Sequence, residues 1–224
     1  MEADFKLYLQ ATEMIDFNHP AVAAFAQKEM RGAGTPVEQA VQLYYAVRDQ
    51  IRYDPYSIDL SVDGLRASTT LQNRRGWCVP KAALLAACCR RVGIPAKLGY
   101  ADVKNHLSTT RMRERMKTDV FIWHGYTSLF LEGKWVKATP AFNIELCRRF
   151  NLKPLAFDGR GDSIYHPFDL LGNKHMEYLR ERGEFDDIPL AQIIRDFEQT
   201  YAGAEGLSDF DFEKDVHREK PLPG

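Results

Sequence analysis

Gly76-Trp77-Cys78 stands directly before the apolar stretch Val79-Pro80-Lys81-Ala82-Ala83-Leu84-Leu85-Ala86-Ala87. That composition predicts a buried helix, with one thiol at its start. The N–H groups of a first helical turn have no intrahelical acceptor and the macrodipole is positive there, so a thiolate is favoured over a thiol. A free cysteine titrates at roughly 8.5, and a helix start lowers that value. Of the four cysteines, only Cys78 occupies such a position; Cys88, Cys89 and Cys147 read as buried structural residues.

A cysteine nucleophile needs a base, and histidine is the usual one at neutral pH. His124 is the candidate, because it lies in a strand, between Trp123 and Gly125, where a polar ring is costly without a role. The strand is one arm of a hairpin predicted as Val120 to Leu131, turn Glu132-Gly133, and Lys134 to Thr139. A two-residue turn pairs Leu131 with Lys134 and puts Tyr126 opposite Thr139 and His124 opposite Ala141. Thr139 and Asn143 then become diagonal neighbours of His124, provided the strand continues through Pro140. Alternation puts His124, Tyr126, Ser128 and Phe130 on one face. His106, His166 and His175 read as surface or hydrogen-bonded groups.

Elsewhere the chain reads as helix over Pro20 to Met30 and again after Thr35-Pro36-Val37-Glu38, which spells a capping box with proline at the first position. A loop follows from Asp54 to Asn73. Gly93-Ile94-Pro95 stops the Cys78 helix, Ala96 to Val103 reads as a strand, and Asn105 to Thr118 as a polar, basic separator. Helical patterns are read near Met176 to Arg182 and Pro189 to Tyr201. Residues 1–203 are expected to form one domain and 204–224 a charged, loosely ordered tail.

The segment Arg75-Gly76-Trp77-Cys78, followed by Ala82-Ala83-Leu84-Leu85 and Arg91-Val92-Gly93-Ile94-Pro95-Ala96-Lys97, resembles the transglutaminase-like superfamily of thiol enzymes. The resemblance runs from about Tyr53 to Asn143. It implies an α+β, papain-like fold with helices on an antiparallel sheet, Cys78 at the start of the central helix and His124 facing it. It also implies an aromatic upstream of the cysteine, here Tyr53, as a candidate second oxyanion donor beside the Cys78 N–H, with Trp77 and Trp123 as core or cleft walls. The chain departs from the family at one position: where an aspartate commonly precedes proline, it has Thr139-Pro140. A hydroxyl accepts from an imidazole but does not stabilise imidazolium as a carboxylate does. Thr139, Asn143 and a more distant carboxylate, Asp158 or Asp119, remain alternatives for the third member.

The implied chemistry is attack of Cys78 on an amide or acyl carbon and a thioester intermediate, resolved by water (peptidase or amidase) or by an amine (acyltransferase). Its substrate would be a peptide or protein, with an amine acceptor if transfer occurs, and it needs no cofactor. The rivals are an arylamine N-acetyltransferase-like enzyme and a non-catalytic peptide-binding module. The first draws on the basic run between Arg74 and Lys117, where the only acids are Asp102 and Glu114; the second on Thr139.

A net charge of −1 on 224 residues gives no basic field for nucleic acid or membrane. The N-terminus lacks an export signal, so a cytoplasmic setting with reduced thiols is expected. Asp162, His166, Asp169 and His175 have no compact ligand spacing, so no metal is expected. Arg160-Gly161-Asp162-Ser163 is read as a turn.

Overall fold

The computed structural model describes residues 5–105, 108–165, 168–204 and 206–219. After a 3-10 turn at Leu7–Leu9 come helices α1 (Pro20–Glu29) and α2 (Pro36–Gln50). The capping box at α2 is closed: Thr35 Oγ1 accepts from the Glu38 N–H, and the Glu38 carboxylate accepts from the Gly34 and Thr35 N–H groups. Strand β1 (Arg52–Tyr53) follows, then two short helices, α3 (Val62–Leu65) and α4 (Ala67–Asn73), where a loop was expected. Strand β2 (Arg75–Gly76) pairs in parallel with β1 and sets Tyr53 beside Gly76, two residues ahead of Cys78.

Helix α5 (Cys78–Arg91) is the centre of the molecule. It packs on one side against α1, α2 and α4 and on the other against strands β3 (Ala96–Asn105) and β4 (Val120–Leu131). Every residue from Cys78 to Arg90 is buried, which is what an apolar run without a polar face demands. Two cations of the basic run are therefore interior. Lys81 Nζ donates to the Arg48 carbonyl at 3.0 Å and to that of Ile51, capping the end of α2, and Arg90 donates to the carbonyls of Gln10, Ala96 and Asp186. Burial pushes the Lys81 ammonium down to about 7, against the opposing pull of Asp49.

The sheet is antiparallel in the order β5 (Lys134–Ala138), β4, β3, β6 (Met176–Phe185). The hairpin register is the one expected, from Leu131 opposite Lys134 to Thr127 opposite Ala138. Glu132 and Gly133 both have positive φ, 47° and 83°, the geometry of a two-residue type I′ turn. Pairing ends at Ala138, so the strand does not carry Thr139 to Asn143 past His124. The helix read near Met176 to Arg182 is instead the edge strand β6. Its Glu, Leu and Arg residues favour helix locally, but the open edge of β3 offers a ladder from Leu98 to Asn105, and tertiary pairing wins.

Helix α6 (Thr110–Met116) lies within the basic separator, α7 (Ile144–Arg149) follows β5, and α8 (Leu190–Thr200) matches its sequence pattern. Inside the segment expected to be a loose tail, α9 (Phe212–Glu219) buries Phe212, Asp215 and Val216. Phe212 and Val216 join Tyr56, Met112, Leu146 and Phe150 in a second apolar cluster beside the main core. Burying a phenylalanine is worth about 1.5–3 kcal/mol, enough to dock a short helix that composition alone reads as solvated.

Candidate functional site

Cys78 is the first residue of α5 and is 6% exposed. Gly125 on β4 is what lets the sheet approach it. A Cβ there would stand 3.1 Å from Val79 Cα and 3.3 Å from the Cys78 carbonyl oxygen, so only glycine fits without displacing backbone. Two residues further on, Thr127 Oγ1 donates to the Ala82 carbonyl at 2.9 Å, fastening the strand to the helix.

A bulge upstream sets His124. Ile122 and Trp123 together oppose the single residue Asp102, and Trp123 has φ 59°, a left-handed conformation rare for a bulky side chain. The surroundings hold it there. Its N–H donates to Asp102 Oδ1 at 3.1 Å, its indole N–H to Asp196 Oδ2 at 2.9 Å, and the Arg182 guanidinium lies over its ring while pairing with both carboxylates. Trp123 is thus a buried clamp that shapes the strand and does not line the cavity at Cys78.

That cavity is lined by Cys78, His124, Tyr53 and Trp77 together and has a volume of about 40 Å³. His124 is 5% exposed, its ring centroid is 4.9 Å from that of Tyr165, and its Nε2 has no hydrogen-bond partner among the described residues. Burial, and then His175, push the imidazole down to about 3. Among the described residues no carboxylate counters these effects. Burial likewise pushes the Cys78 thiol up to about 11, outweighing the main-chain N–H groups of Gly125 and Val79, which pull it down. The lowered thiol expected from the helix start is therefore reversed: the N–H groups act in the expected direction, but desolvation of a buried thiolate is the larger effect. At neutral pH the pair is a thiol and a neutral imidazole.

The candidate third members divide. Thr139 is buried, its carbonyl accepts from the Tyr44 hydroxyl at 3.2 Å, and its Oγ1 has no hydrogen-bond partner among the described residues. Asn143 is engaged elsewhere: its Oδ1 accepts from the Tyr53 N–H at 3.1 Å, so it fixes β1 beside the cysteine. Asp158 folds its own turn, accepting from the Arg160 and Gly161 N–H groups, and Asp119 pairs with Lys104.

The remaining motifs are structural. Arg160-Gly161-Asp162-Ser163 is a turn whose Asp162 accepts from the Lys137 N–H and whose Ser163 bridges Ala138. Asp169 closes a turn with Leu171 and Asn173, and His175 is buried. His106 and His166 lie outside the described residues. Among the described residues, one group has ligand atoms within 4.8 Å of one another, Glu145, Glu213 and His217; all are exposed, and the two carboxylates pair with Arg149 and Arg52. All four cysteines are free and buried. No helix among the described residues is long and apolar enough to cross a membrane.

No curated protein sequence matches the chain. Two solved structures resemble parts of it. One, a candidate cysteine protease from Cytophaga hutchinsonii, is 19% identical with a TM-score of 0.48 over 63% of this chain and 43% of that one. The other, a candidate protease from Parabacteroides distasonis, is 18% identical with a TM-score of 0.38 over 57% of this chain and 26% of that one. The chain thus spans less than half the length of either. The sequence pattern of the transglutaminase-like superfamily matches residues 23–140, from α1 through the hairpin to Pro140, and the chain belongs to that superfamily.

Proposed function

We propose that the protein is a thiol enzyme acting on amide or related acyl bonds, with Cys78 as nucleophile and His124 as its base. One observation carries this reading: the only cysteine at a helix start and a buried histidine with an unpartnered Nε2 line the same cavity. As both groups are neutral at rest, His124 takes the thiol proton while sulfur attacks the acyl carbon, so no thiolate is stored beforehand. The Cys78 N–H is the first donor for the oxyanion that forms. His124 then returns the proton to the leaving amine, and a thioester remains on Cys78. Water resolves it in an amidase or peptidase, an amine in an acyltransferase.

By resemblance to the family Thr139 stands where the group that orients His124 is expected, and a threonine lacks the charge to stabilise imidazolium. A non-catalytic peptide-binding module is the second reading, favoured by Thr139 and by the raised thiol. Of the basic run that motivated the N-acetyltransferase-like reading, Lys81 and Arg90 are interior and Lys97, Lys104 and Arg111 each pair with a carboxylate, which narrows the cationic face open to a phosphate-bearing donor.

The deciding experiment offers activated acyl donors, with and without a primary amine, and follows the protein by intact mass. A transient acyl adduct on Cys78, absent from Cys78→Ala and slowed in His124→Ala, supports the enzyme; release of free acid or of amide product assigns hydrolysis or transfer. Acylation no faster than at a free cysteine, unaffected by His124→Ala, leaves the binding module.

A further inference from the structure

Among the described residues, no charged side chain lines the cavity that holds Cys78 and His124. Beyond the two reactive groups most of its lining is apolar, including Ile58, Met112, Met116, Phe121, Met176 and Phe197, with Asn105 and the Tyr53 and Tyr201 side chains as its neutral polar members. Tyr201, the residue that caps the end of α8, is already committed: its hydroxyl accepts from the Ile122 N–H and donates to the Val120 carbonyl. A second void of about 20 Å³ shares Tyr53, Pro55, Asn105, Met112 and Phe142 with the first and continues toward Leu146 and Phe212.

The geometry points to an acyl donor that carries a neutral apolar side chain of about four or five heavy atoms, of the leucine or methionine kind, seated in this cavity beside the scissile carbonyl. The inference rests on the thiol-enzyme reading and adds its substrate class. Size follows from the volume. One water-sized probe fills roughly 10–15 Å³ on this scale, so about 40 Å³ takes three or four atoms and the adjoining void one or two more. Polarity follows from the wall: an aspartate or lysine side chain would be desolvated with no counter-charge, which is heavily penalised. Tolerance follows from the three methionines, whose unbranched thioethers repack around differently shaped guests.

The test uses peptidyl acyloxymethyl ketones that differ only in the side chain next to the ketone: glycine, alanine, leucine, methionine, aspartate and lysine. The Cys78 sulfur displaces the carboxylate from the methylene carbon, forming a thioether, while His124 takes the thiol proton. Labelling rates are read by intact mass, with iodoacetamide as a side-chain-free control. Leucine and methionine probes are expected to label about 10–100-fold faster than glycine, with aspartate and lysine slower than glycine. In Met112→Trp, which fills the void, the leucine-to-glycine ratio should fall below about threefold by the same arithmetic. If that variant does not fold, Ile58→Trp at the 39%-exposed rim serves. Equal rates across the probes, faster labelling by a charged one, or a ratio unchanged in the filled variants overturns the inference and leaves the enzyme standing. Labelling by no probe, with Cys78 reached by iodoacetamide only after unfolding, overturns both.

Discussion

Helices α5 and α6 both wall the cavity, yet they are held by different forces. Helix α5 is buried from Cys78 to Arg90 and meets β4 at van der Waals contact through Gly125. Helix α6 buries only Met112. Polar contacts to residues 203–219 hold it. Arg111 Nε donates to Asp215 Oδ2 at 2.6 Å, the Thr110 N–H and hydroxyl donate to Glu219, Arg115 donates to the Gly206 carbonyl and Lys117 to that of Gly203. Tyr56 joins the network through Thr109 and Asp215. Cys78 is thus fixed by packing that tolerates little movement, and α6, which covers it, mostly by contacts that water can replace.

The largest effect should fall on the packed side. Cys78→Ala is expected to remove acyl transfer entirely, and His124→Gln to lower its rate about 10²–10⁴-fold, the range typical of a lost general base. Because burial pushes the thiol up to about 11, iodoacetamide alkylation of Cys78 should keep accelerating above pH 9 instead of levelling near neutrality. A plateau below pH 7 would instead mean a stored thiolate–imidazolium pair, and the general-base step would be wrong.

Acid stability comes next. His124 has a folded pKa of about 3, below its unfolded value of 6.5, so its contribution is fully present above pH 6.5 and is lost as pH falls toward 3. At about 1.4 kcal/mol per pKa unit, the loss between pH 6.5 and 4 is about 3 kcal/mol. Urea unfolding at pH 7 and pH 4 should show that loss in the native protein and a shallower one in His124→Phe, which has nothing to titrate. Parallel slopes for the two proteins would place the acid sensitivity elsewhere.

Much of the packed side is legible in the sequence because its signals are local. The Thr35 capping box, the apolar run after Cys78 and the Glu132-Gly133 turn each dictate their own geometry, and the turn alone fixes the hairpin register. The cover is illegible for the converse reason. Nothing within Thr110–Met116 or Phe212–Glu219 signals where those helices dock; their places come from polar pairs such as Arg111–Asp215, with Met112 and Phe212 in one apolar cluster, across a long sequence separation. The site falls between these cases. The sequence contexts of Cys78 and His124 single them out, and they line one cavity, but the kink at Trp123 depends on Asp102, Arg182 and Asp196 from three other elements. Lys81 looks like a surface cation until α2 supplies carbonyls for it.

Gly125→Ala tests the packed side without touching a reactive group. The new methyl would press on main-chain atoms of α5, not on a flexible side chain, so an overpacking cost of about 1–3 kcal/mol is expected in the unfolding free energy. Acyl transfer should fall further than that loss of stability explains, because the first turn of α5 has to retreat from β4. Gly161→Ala, with open space at its Cβ, is the control. A Gly125→Ala protein with native stability and rate would mean that the strand and helix slide freely, and the contrast with α6 would disappear.

The smallest effect belongs to the cover. Asp215 accepts from Arg111, Tyr56 and Arg218; burial alone would raise its pKa, but the Arg111 and Tyr56 hydrogen bonds outweigh this and hold it below the ordinary carboxylate value. Its contribution is therefore present above the unfolded pKa and lost as pH falls through the lower folded one. Asp215→Asn keeps the shape and removes the charge, so overall stability should drop by only about 1 kcal/mol. Hydrogen exchange should be more telling. Amides of α6 are expected to exchange several-fold faster in Asp215→Asn at neutral pH while those of α5 stay unchanged, and Cys78 should alkylate correspondingly faster. Equal acceleration in both helices would mean that α6 opens only when the whole domain does, so that polar anchoring would not make it a separately movable cover.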